Sequence, residues 1–368
     1  MKTLQMRLAG MAVILLLLSP YSSAQSHLTL PFDGGNQKSQ VTQWIGLVEV
    51  TITYFSPDIT SPQGENRQGK IWGQLVPYNG GDPYPWRAGA NRNTTISFSH
   101  DVTIEGAPLA AGIYGLHMIP SADEWTIIFS NNATSWGSFT YNQAEDALRV
   151  AVRPEKGSYH EWLSYDFIVR RPDQAVAALK WENLQVPFKI EADVKNIYLN
   201  NIRNELRDEA GFSWQAWNEA AKFCLENEIN YEEALKWVNR SISGDYFSLE
   251  TSANLQTKAG LLEKMGRHEE AEKVLKKALD LGTPDELYQF ARGLMREEKY
   301  EEALSVFKLS YKQHQDAWPV HLGLGRGYEG VGDRKNALKH FKLALKDAPN
   351  ARQKISIGKM IEKLENRK

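Results

Sequence analysis

The segment DRKNALKHFKLAL (residues 333–345) is one of four similar segments in the second half of the chain. The other three are NYEEALKWVNRSI (230–242), RHEEAEKVLKKAL (267–279) and KYEEALSVFKLSY (299–311). Their central alanines are separated by 37, 32 and 34 residues and are Ala234, Ala271, Ala303 and Ala337. Because each segment has apolar residues at helical spacing, the chain is expected to repeat one helical unit at this interval.

This period resembles that of the tetratricopeptide repeat, a pair of antiparallel helices. The last unit has small and large residues where that repeat packs its helices together: Leu324, Gly325, Tyr328, Ala337, Phe341, Ala344 and Pro349. We therefore predict repeats over residues 213–350, a connecting helical segment at 194–212 and a C-terminal capping helix at 351–368.

The first half of the chain has the pattern of short β-strands. In LVEVTITY, for example, Val48, Val50, Ile52 and Tyr54 alternate with polar residues, which gives the strand one apolar face. Similar runs recur about every ten residues with no amphipathic helix between them. The sequence predicts a domain at residues 40–193 in which antiparallel strands form a β-sandwich or a partly closed barrel.

Glycine, aromatic residues and an arginine are concentrated in KIWGQLVPYNGGDPYPWRAGANRNTT (residues 70–95). Three motifs, YFSP (54–57), GQLVPY (73–78) and WRAGAN (86–91), resemble those of the bacterial domain-of-unknown-function family 2911. The resemblance implies a β domain with no agreed activity. This chain differs from the family pattern by a longer loop at residues 79–85 and by Arg92, where the family tends to have an acidic residue.

The same motifs suggest a ligand site. Trp86 offers a flat apolar face, Arg87 a planar cation with five donors, and Asn91 a short amide. Together with Tyr54 and Tyr78 they suit a small polar, carboxylate-bearing or glycan-like ligand. The alternative is structural: Arg87 pairs with a buried carboxylate, Asn91 closes a turn, and the aromatic rings fill the core.

His117 is the strongest candidate for catalysis. The chain has none of the common motifs of metalloproteases, α/β-hydrolases, redox dithiols or nucleotide-binding enzymes. An envelope hydrolase with Arg87, Asn91 and His117 in its site is the alternative to a binding protein, and convergence of the three residues in one pocket would distinguish the two. A histidine satisfied in the core is the simpler interpretation. We predict no cofactor and no metal site.

The repeats contain a candidate partner site. Tyr288, Arg292 and Arg296 belong to the first helix of the third unit, and Arg326 to that of the fourth. In a stacked array these first helices line one groove, where the arginines are expected to bind an acidic peptide. In the alternative, the arginines pair with Glu297, Glu298 or Glu329 on a solvated face.

The N-terminus resembles a secretory signal peptide. Lys2 and Arg7 precede the apolar run Leu8–Leu18, and small residues lead to a cleavage site after Ala24. We predict a signal peptide at residues 1–24, a flexible segment at 25–39, a periplasmic or extracellular location and no membrane span after processing. A net charge of −2 provides no general attraction to nucleic acid. The sequence thus predicts an exported, non-catalytic protein that binds a small ligand through its β domain and a protein partner through its repeats.

Overall fold

The computed structural model describes residues 36–61, 64–76, 85–315 and 317–366. These residues form two compact units, one ending at Ala192 and the other beginning at Asp193. The predicted signal peptide lies outside the described residues. The first strand begins at Gln37, inside the segment that we expected to be flexible.

The N-terminal unit contains two antiparallel sheets. One sheet has six strands in the order β1-β2-β3-β6-β7-β8, and the other has four in the order β5-β4-β10-β9. The strands are β1 Gln37–Ile45, β2 Val48–Ser56, β3 Thr94–Phe98, β4 Val102–Ile104, β5 Ala107–Leu109, β6 Gly112–Ile119, β7 Trp125–Ser130, β8 Asp146–Val152, β9 Glu155–Arg170 and β10 Gln174–Glu191. This confirms the predicted class of fold, and the two sheets are not closed into a barrel.

The core of this unit lies between the two sheets. On β2, the predicted alternation is confirmed, because Val48, Val50 and Ile52 are buried while the residues between them are more exposed. Phe129 of β7 meets Phe188 of β10 with ring centroids 6.3 Å apart. These rings belong to opposite sheets, so the apolar faces pack against each other as in a sandwich.

The connection from β2 to β3 is long and passes along both sheets. After β2 it pairs with β9, where the Ile59 amide donates to the Glu161 carbonyl at 2.9 Å. It then returns to the six-stranded sheet, where Trp86 and Met118 exchange backbone hydrogen bonds of 2.7 and 2.8 Å. Trp86 thereby occupies the position beside β6 that β3 leaves open beyond Thr94.

The C-terminal unit is helical in all its described elements. Its helices are α1 Val194–Glu205, α2 Trp214–Asn227, α3 Tyr231–Ile242, α4 Ser252–Lys264, α5 His268–Asp280, α6 Pro284–Arg296, α7 Tyr300–Gln313, α8 Trp318–Gly330, α9 Arg334–Asp347 and α10 Ala351–Asn366. From α2 to α9, successive helices pack as four pairs, and α10 packs on α9. This is the predicted tetratricopeptide-like arrangement.

The packing of α8 on its neighbours shows why small residues recur in the repeat. A Cβ atom on Gly325 would lie 2.5 Å from the ring of Phe341, and one on Gly323 would lie 2.4 Å from the ring of Phe307. Both rings are almost fully buried. The glycines thus let the large residues of α9 and α7 reach the backbone of α8. Within the described ranges, no helix combines the length and apolar character needed to cross a bilayer.

Candidate functional site

A cleft of about 390 Å³ opens on the N-terminal unit. Its walls come from four separate parts of the chain: the residue before β1, the connection between β2 and β3, the loop between β7 and β8, and strand β10. The lining residues are Asn36, Pro57, Arg67, Leu75, Val76, Pro85, Trp86, Arg87, Gly89, Ala90, Ser138, Phe139 and Trp181.

Tryptophan rings form the apolar wall of the cleft. Trp86 stacks on Trp181 with centroids 6.3 Å apart and planes 15° apart. The edge of Trp72 contacts both rings and also Trp125. Trp86 and Trp181 are only 8% and 1% exposed, so neither offers an open face for stacking on a sugar. Among the aromatic lining residues, Phe139 is the exposed ring, at 77%.

Arg87 is held against the opposite side of the cleft. Its guanidinium lies beside Gly137, where an added Cβ atom would come within 2.4 Å of a terminal guanidinium nitrogen. Gly137 also has a φ of +68°, which favours glycine. The position of Arg87 and the absence of a side chain at residue 137 are therefore coupled.

A turn immediately after Arg87 anchors it to the core. Ala88 and Asn91 have left-handed backbones, with φ of 51° and 56°. The Ala88 carbonyl accepts hydrogen bonds from the hydroxyls of Thr94 and Tyr165, at 2.9 and 2.8 Å. Asn91 is not among the residues that line the cleft, and its backbone helps to close this turn. Four residues of the WRAGAN motif line the cleft, and the turn within the motif holds its one cation, Arg87, in place.

Behind the cleft, Ser138 connects the surface to a buried histidine. The Ser138 hydroxyl and the His117 Nδ1 share a hydrogen bond of 2.8 Å. His117 is 2% exposed. Burial lowers its pKa to about 4, although the charge of Asp146 acts in the opposite direction. The imidazole is therefore neutral near pH 7.

Polar groups surround the far side of this histidine. The ring of Tyr141 meets that of His117 edge-on at 5.4 Å. The Tyr141 hydroxyl donates to Asp146 at 2.7 Å, and Arg149 donates to both of them. Burial and the hydrogen bond to Asp146 raise the pKa of Tyr141 to about 12, so its phenol stays protonated.

Two further donors of the cleft are buried without an acceptor in the described part of the chain. They are the Nε atom of Arg67 and the Nε1 atom of Trp181. A terminal guanidinium nitrogen of Arg67 also forms an ion pair of 3.7 Å with an Asp58 carboxylate oxygen. No acidic side chain is among the described residues that line the cleft. The polar side chains that line it are those of Asn36, Arg67, Arg87, Ser138 and Trp181, two of them cationic.

The structure brings together only part of the predicted ligand site. Trp86 and Arg87 line the cleft, and His117 reaches it through Ser138. Tyr54 is buried in the core against Tyr165, at a centroid distance of 5.0 Å. Tyr78 falls outside the described residues. Arg67, Ser138 and Trp181 were not predicted, although the glycine that precedes Ser138 was a local signal of an unusual backbone.

In the helical unit, the predicted partner residues lie on neighbouring helices. The Arg292 guanidinium lies 5.9 Å from the centre of the Tyr288 ring and donates to its hydroxyl at 3.4 Å. Arg296 donates to the Arg292 carbonyl at 3.3 Å. The Nε of Arg326 on α8 is buried and has no acceptor in the described part of the chain.

Two of the three acidic side chains named as alternative partners of these arginines pair with lysines. Glu297 pairs with Lys299 at 2.8 Å, and Glu329 with Lys363 at 3.6 Å. Within the described ranges, Arg292, Arg296 and Arg326 form no ion pair with a carboxylate. The alternative of a fully paired surface is therefore not what the structure contains.

The N-terminal unit resembles a known protein family. Residues 36–190 match the family model "Protein of unknown function (DUF2911)". The matched residues, called the DUF2911 region below, include both sheets and the cleft. The sequence matches no curated relative.

Similar solved structures include three proteins. MamA (residues 41 to end) from Desulfovibrio magneticus RS-1 is 18% identical, with 42% of this chain and 84% of that chain covered and a TM-score of 0.29. YrrB, described as a tetratricopeptide repeat protein with an unusual peptide-binding site, is 20% identical, with coverages of 45% and 84% and a TM-score of 0.27. A tetratricopeptide repeat protein from Parabacteroides merdae is 15% identical, with coverages of 46% and 68% and a TM-score of 0.29. At such scores the likeness supports no conclusion about function.

Proposed function

We propose that the DUF2911 region binds a small molecule with a carboxylate group and an apolar body. The observation that carries this proposal is the set of donors in one cleft, Arg67, Arg87, Ser138 and Trp181, with no acidic side chain among the described lining residues. Arginine matches the planar, bidentate geometry of a carboxylate. A buried donor without an acceptor carries an energetic cost, which a ligand oxygen would remove.

The apolar part of the ligand is expected to lie against Leu75, Val76 and Phe139. These residues border the same cleft, and Phe139 presents an exposed ring. A neutral sugar would make little use of the arginines, so an acidic sugar is the form of glycan that agrees best with the lining. A sugar ring is not expected to stack on the flat face of Trp86, because Trp86 and Trp181 cover each other.

The proposal can be tested by thermal unfolding of the full chain with a panel of apolar carboxylates, each paired with its amide, such as 3-phenylpropanoate and 3-phenylpropanamide. At about a hundred times its dissociation constant, a binding carboxylate should stabilise the folded state by about 2.7 kcal/mol and shift the melting temperature by several degrees. The amides should give much smaller shifts.

Arg87→Gln should remove the carboxylate response, and Arg67→Gln should weaken it. Arg92→Gln is the matched control, because Arg92 belongs to the same segment but is exposed and does not line the cleft. Near-ultraviolet circular dichroism of the tryptophan cluster shows whether each variant remains folded. Equal shifts by the acids and amides, or a full response in folded Arg87→Gln, would contradict the proposal.

For the helical unit, we propose an acidic protein partner held by Arg292, Arg296 and Arg326. Support comes from their lack of a carboxylate partner within the described ranges and from the packing of α6 on α8, which places first helices of consecutive units side by side. Secretion to the periplasm or the exterior also remains a proposal, based on residues 1–24 of the sequence.

Fluorescence anisotropy with a labelled hexaglutamate peptide tests the charge chemistry of this surface. The combined substitution Arg292→Gln and Arg326→Gln should weaken binding by about tenfold or more, since one charge-assisted contact of about 1.4 kcal/mol corresponds to a factor of ten. Arg267→Gln, which removes an exposed arginine paired with Glu270, is the control. Equal losses in both variants would indicate general attraction and reject the site.

A second function, ester or amide hydrolysis, is favoured by one observation: the hydrogen bond between Ser138, which lines the cleft, and His117. In this mechanism the Ser138 Oγ attacks the substrate carbonyl carbon and its proton passes to the neutral His117 Nδ1. Arg87 stabilises the oxyanion, the leaving group takes the proton as the tetrahedral intermediate collapses, and water then hydrolyses the acyl-serine. A pKa of about 4 makes His117 available but weakly basic, so the binding function is preferred.

A fluorophosphonate probe separates the two functions. A hydrolase should be labelled at Ser138 in the wild-type protein, and labelling should be lost in both Ser138→Ala and His117→Gln. A binding protein should remain unlabelled while retaining its response to carboxylates. Unlabelled wild-type protein with no turnover of p-nitrophenyl esters would reject hydrolysis and leave the binding proposal intact.

A further inference from the structure

Two histidines face each other within the last helix pair. His321 on α8 and His340 on α9 place their Nδ1 atoms 3.2 Å apart, with ring centroids separated by 5.3 Å. Both residues are half-buried. Neither residue belongs to the cleft or to the arginine surface, so the pair is a separate feature of the molecule.

The distance between the two nitrogens suits a shared metal ion. Zinc binds histidine nitrogen at about 2.0–2.1 Å with tetrahedral angles, which places two ligand nitrogens about 3.3 Å apart. Without a metal, two imidazole nitrogens at 3.2 Å must share one proton, since two lone pairs would repel each other. A metal ion would replace that proton, and each ring would turn so that its lone pair points at the ion rather than at the other nitrogen.

The surroundings hold the rings in place and limit the affinity. Tyr328 stacks on His340 at 5.6 Å with planes 15° apart, and Tyr311 packs on both histidines. Lys308 lies over Tyr328, so two lysines, this one and Lys339, oppose a cation. No group of three or more histidine, cysteine or acidic side chains suited to a metal occurs in the described part of the chain. Water or another exchangeable ligand must complete the coordination.

We propose that His321 and His340 form a two-histidine site for a borderline transition-metal ion such as Zn²⁺, Ni²⁺ or Cu²⁺, with water in the remaining positions. Imidazole ligands select these ions over Mg²⁺ and Ca²⁺, which prefer oxygen. A metal bound here would link α8 to α9 and would stiffen the end of the repeat array. The site is independent of the functions proposed above.

Calorimetric titration of the untagged full chain with ZnCl₂ tests the proposal. The wild-type protein should bind one Zn²⁺ at this site. His321→Gln and His340→Gln should each weaken Zn²⁺ binding by at least about tenfold. Loss of a residue that merely hydrogen-bonds to a metal ligand commonly weakens binding by that factor, and loss of a ligand should cost no less. MgCl₂ should show no comparable binding.

His268→Gln is the matched control, because His268 is an exposed histidine of α5 that contacts Glu263 rather than another histidine. It should bind Zn²⁺ like the wild type. Far-ultraviolet circular dichroism checks the helix content of each variant. If His340→Gln loses helix content, the Zn²⁺ affinity of His321→Gln decides the test. Unchanged Zn²⁺ affinity in a folded histidine-pair variant, or no Zn²⁺ binding by the wild type, would overturn the proposal.

Discussion

The DUF2911 region and the repeats both depend on glycines, but the atoms that those glycines admit are different. In the repeats, Gly323 and Gly325 make room for the rings of Phe307 and Phe341. In the DUF2911 region, Gly115 of β6 makes room for the backbone of Asn132 and the side chain of Asn93. A ring can rotate or shift within its surroundings, whereas Gly115 belongs to a strand that is paired on both sides and cannot move away from Asn132. The β unit should therefore tolerate added volume much less than the helical unit.

Gly115→Ala is expected to have the largest effect. The new Cβ atom would lie 2.2 Å from the Asn132 carbonyl oxygen and 2.5 Å from the Asn93 amide nitrogen. Strand β6 pairs on both sides at this position, with Thr95 and Ser130, so it cannot move away. The substitution should destabilise the β unit by more than about 4 kcal/mol. Loss of the near-ultraviolet signal of the tryptophan cluster would show it.

The helices provide the internal control for this experiment. Because the two units have separate cores, far-ultraviolet helix content should survive in Gly115→Ala. A variant that keeps both the tryptophan signal and its melting temperature would show that the β sheets can adjust, and the contrast with the repeats would be wrong.

A second prediction concerns the pH dependence of stability in the β unit. Burial lowers the pKa of His117 to about 4, whereas an unfolded histidine has a pKa of about 6.5. Between these values the unfolded state binds more protons, so the stabilisation is complete above pH 6.5 and is lost as the pH falls towards 4. The shift corresponds to about 3 kcal/mol in the β unit.

Urea unfolding of the wild type and His117→Gln, from neutral pH to about pH 4.5, measures this contribution. The amide cannot titrate, so its free energy of unfolding should fall less steeply than that of the wild type. Parallel pH profiles for the two proteins would show that His117 is not the group responsible. His340 has the same direction of shift in the other unit, and the paired comparison removes its effect.

The contrast in contact range also explains what the sequence could predict. In the repeats, residues pack against neighbours one helix or one unit away. The sequence period of Ala234, Ala271, Ala303 and Ala337 was therefore enough to predict how the helices are arranged. In the sandwich, alternation revealed strands such as β2. It did not reveal the start of β1, an edge strand whose residues are exposed or half-buried except for Ile45 and so have no clear apolar face.

The sequence predicted only the part of the cleft that a single short segment forms. Arg87 was visible as part of a dense motif, but Arg67, Ser138 and Trp181 are up to 114 residues apart and meet only after the strands have paired. Sequence spacing alone cannot predict that residues so far apart in the chain line the same cleft. Asn91 is not among the residues that line the cleft, and its left-handed backbone belongs to the turn that we gave as its alternative role.

A smaller loss is expected in the repeats from Gly325→Ala. The new Cβ atom would be 2.5 Å from the Phe341 ring, which must shift, and overpacking of this kind usually costs about 1–3 kcal/mol. Alanine is also the better helix former by about 1 kcal/mol, which offsets part of the loss. The net loss should therefore be at most about 2 kcal/mol, measured by far-ultraviolet thermal unfolding. A loss as large as that of Gly115→Ala would show that the ring is held as firmly as a strand backbone.

The smallest effect is expected where the repeats depend on charge rather than on packing. Arg203 of α1 donates two hydrogen bonds to Glu233 of α3, at 2.9 and 2.6 Å, yet both side chains are about a third or more exposed. Water screens such a pair, so Arg203→Gln should cost less than about 1 kcal/mol. The difference from the wild type should shrink further in about 1 M NaCl, where the Debye length falls to about 3 Å. A large, salt-independent loss would instead mean that the arginine stem packs against the core formed by α2 and α3, and that α1 belongs to the same packed array as the repeats.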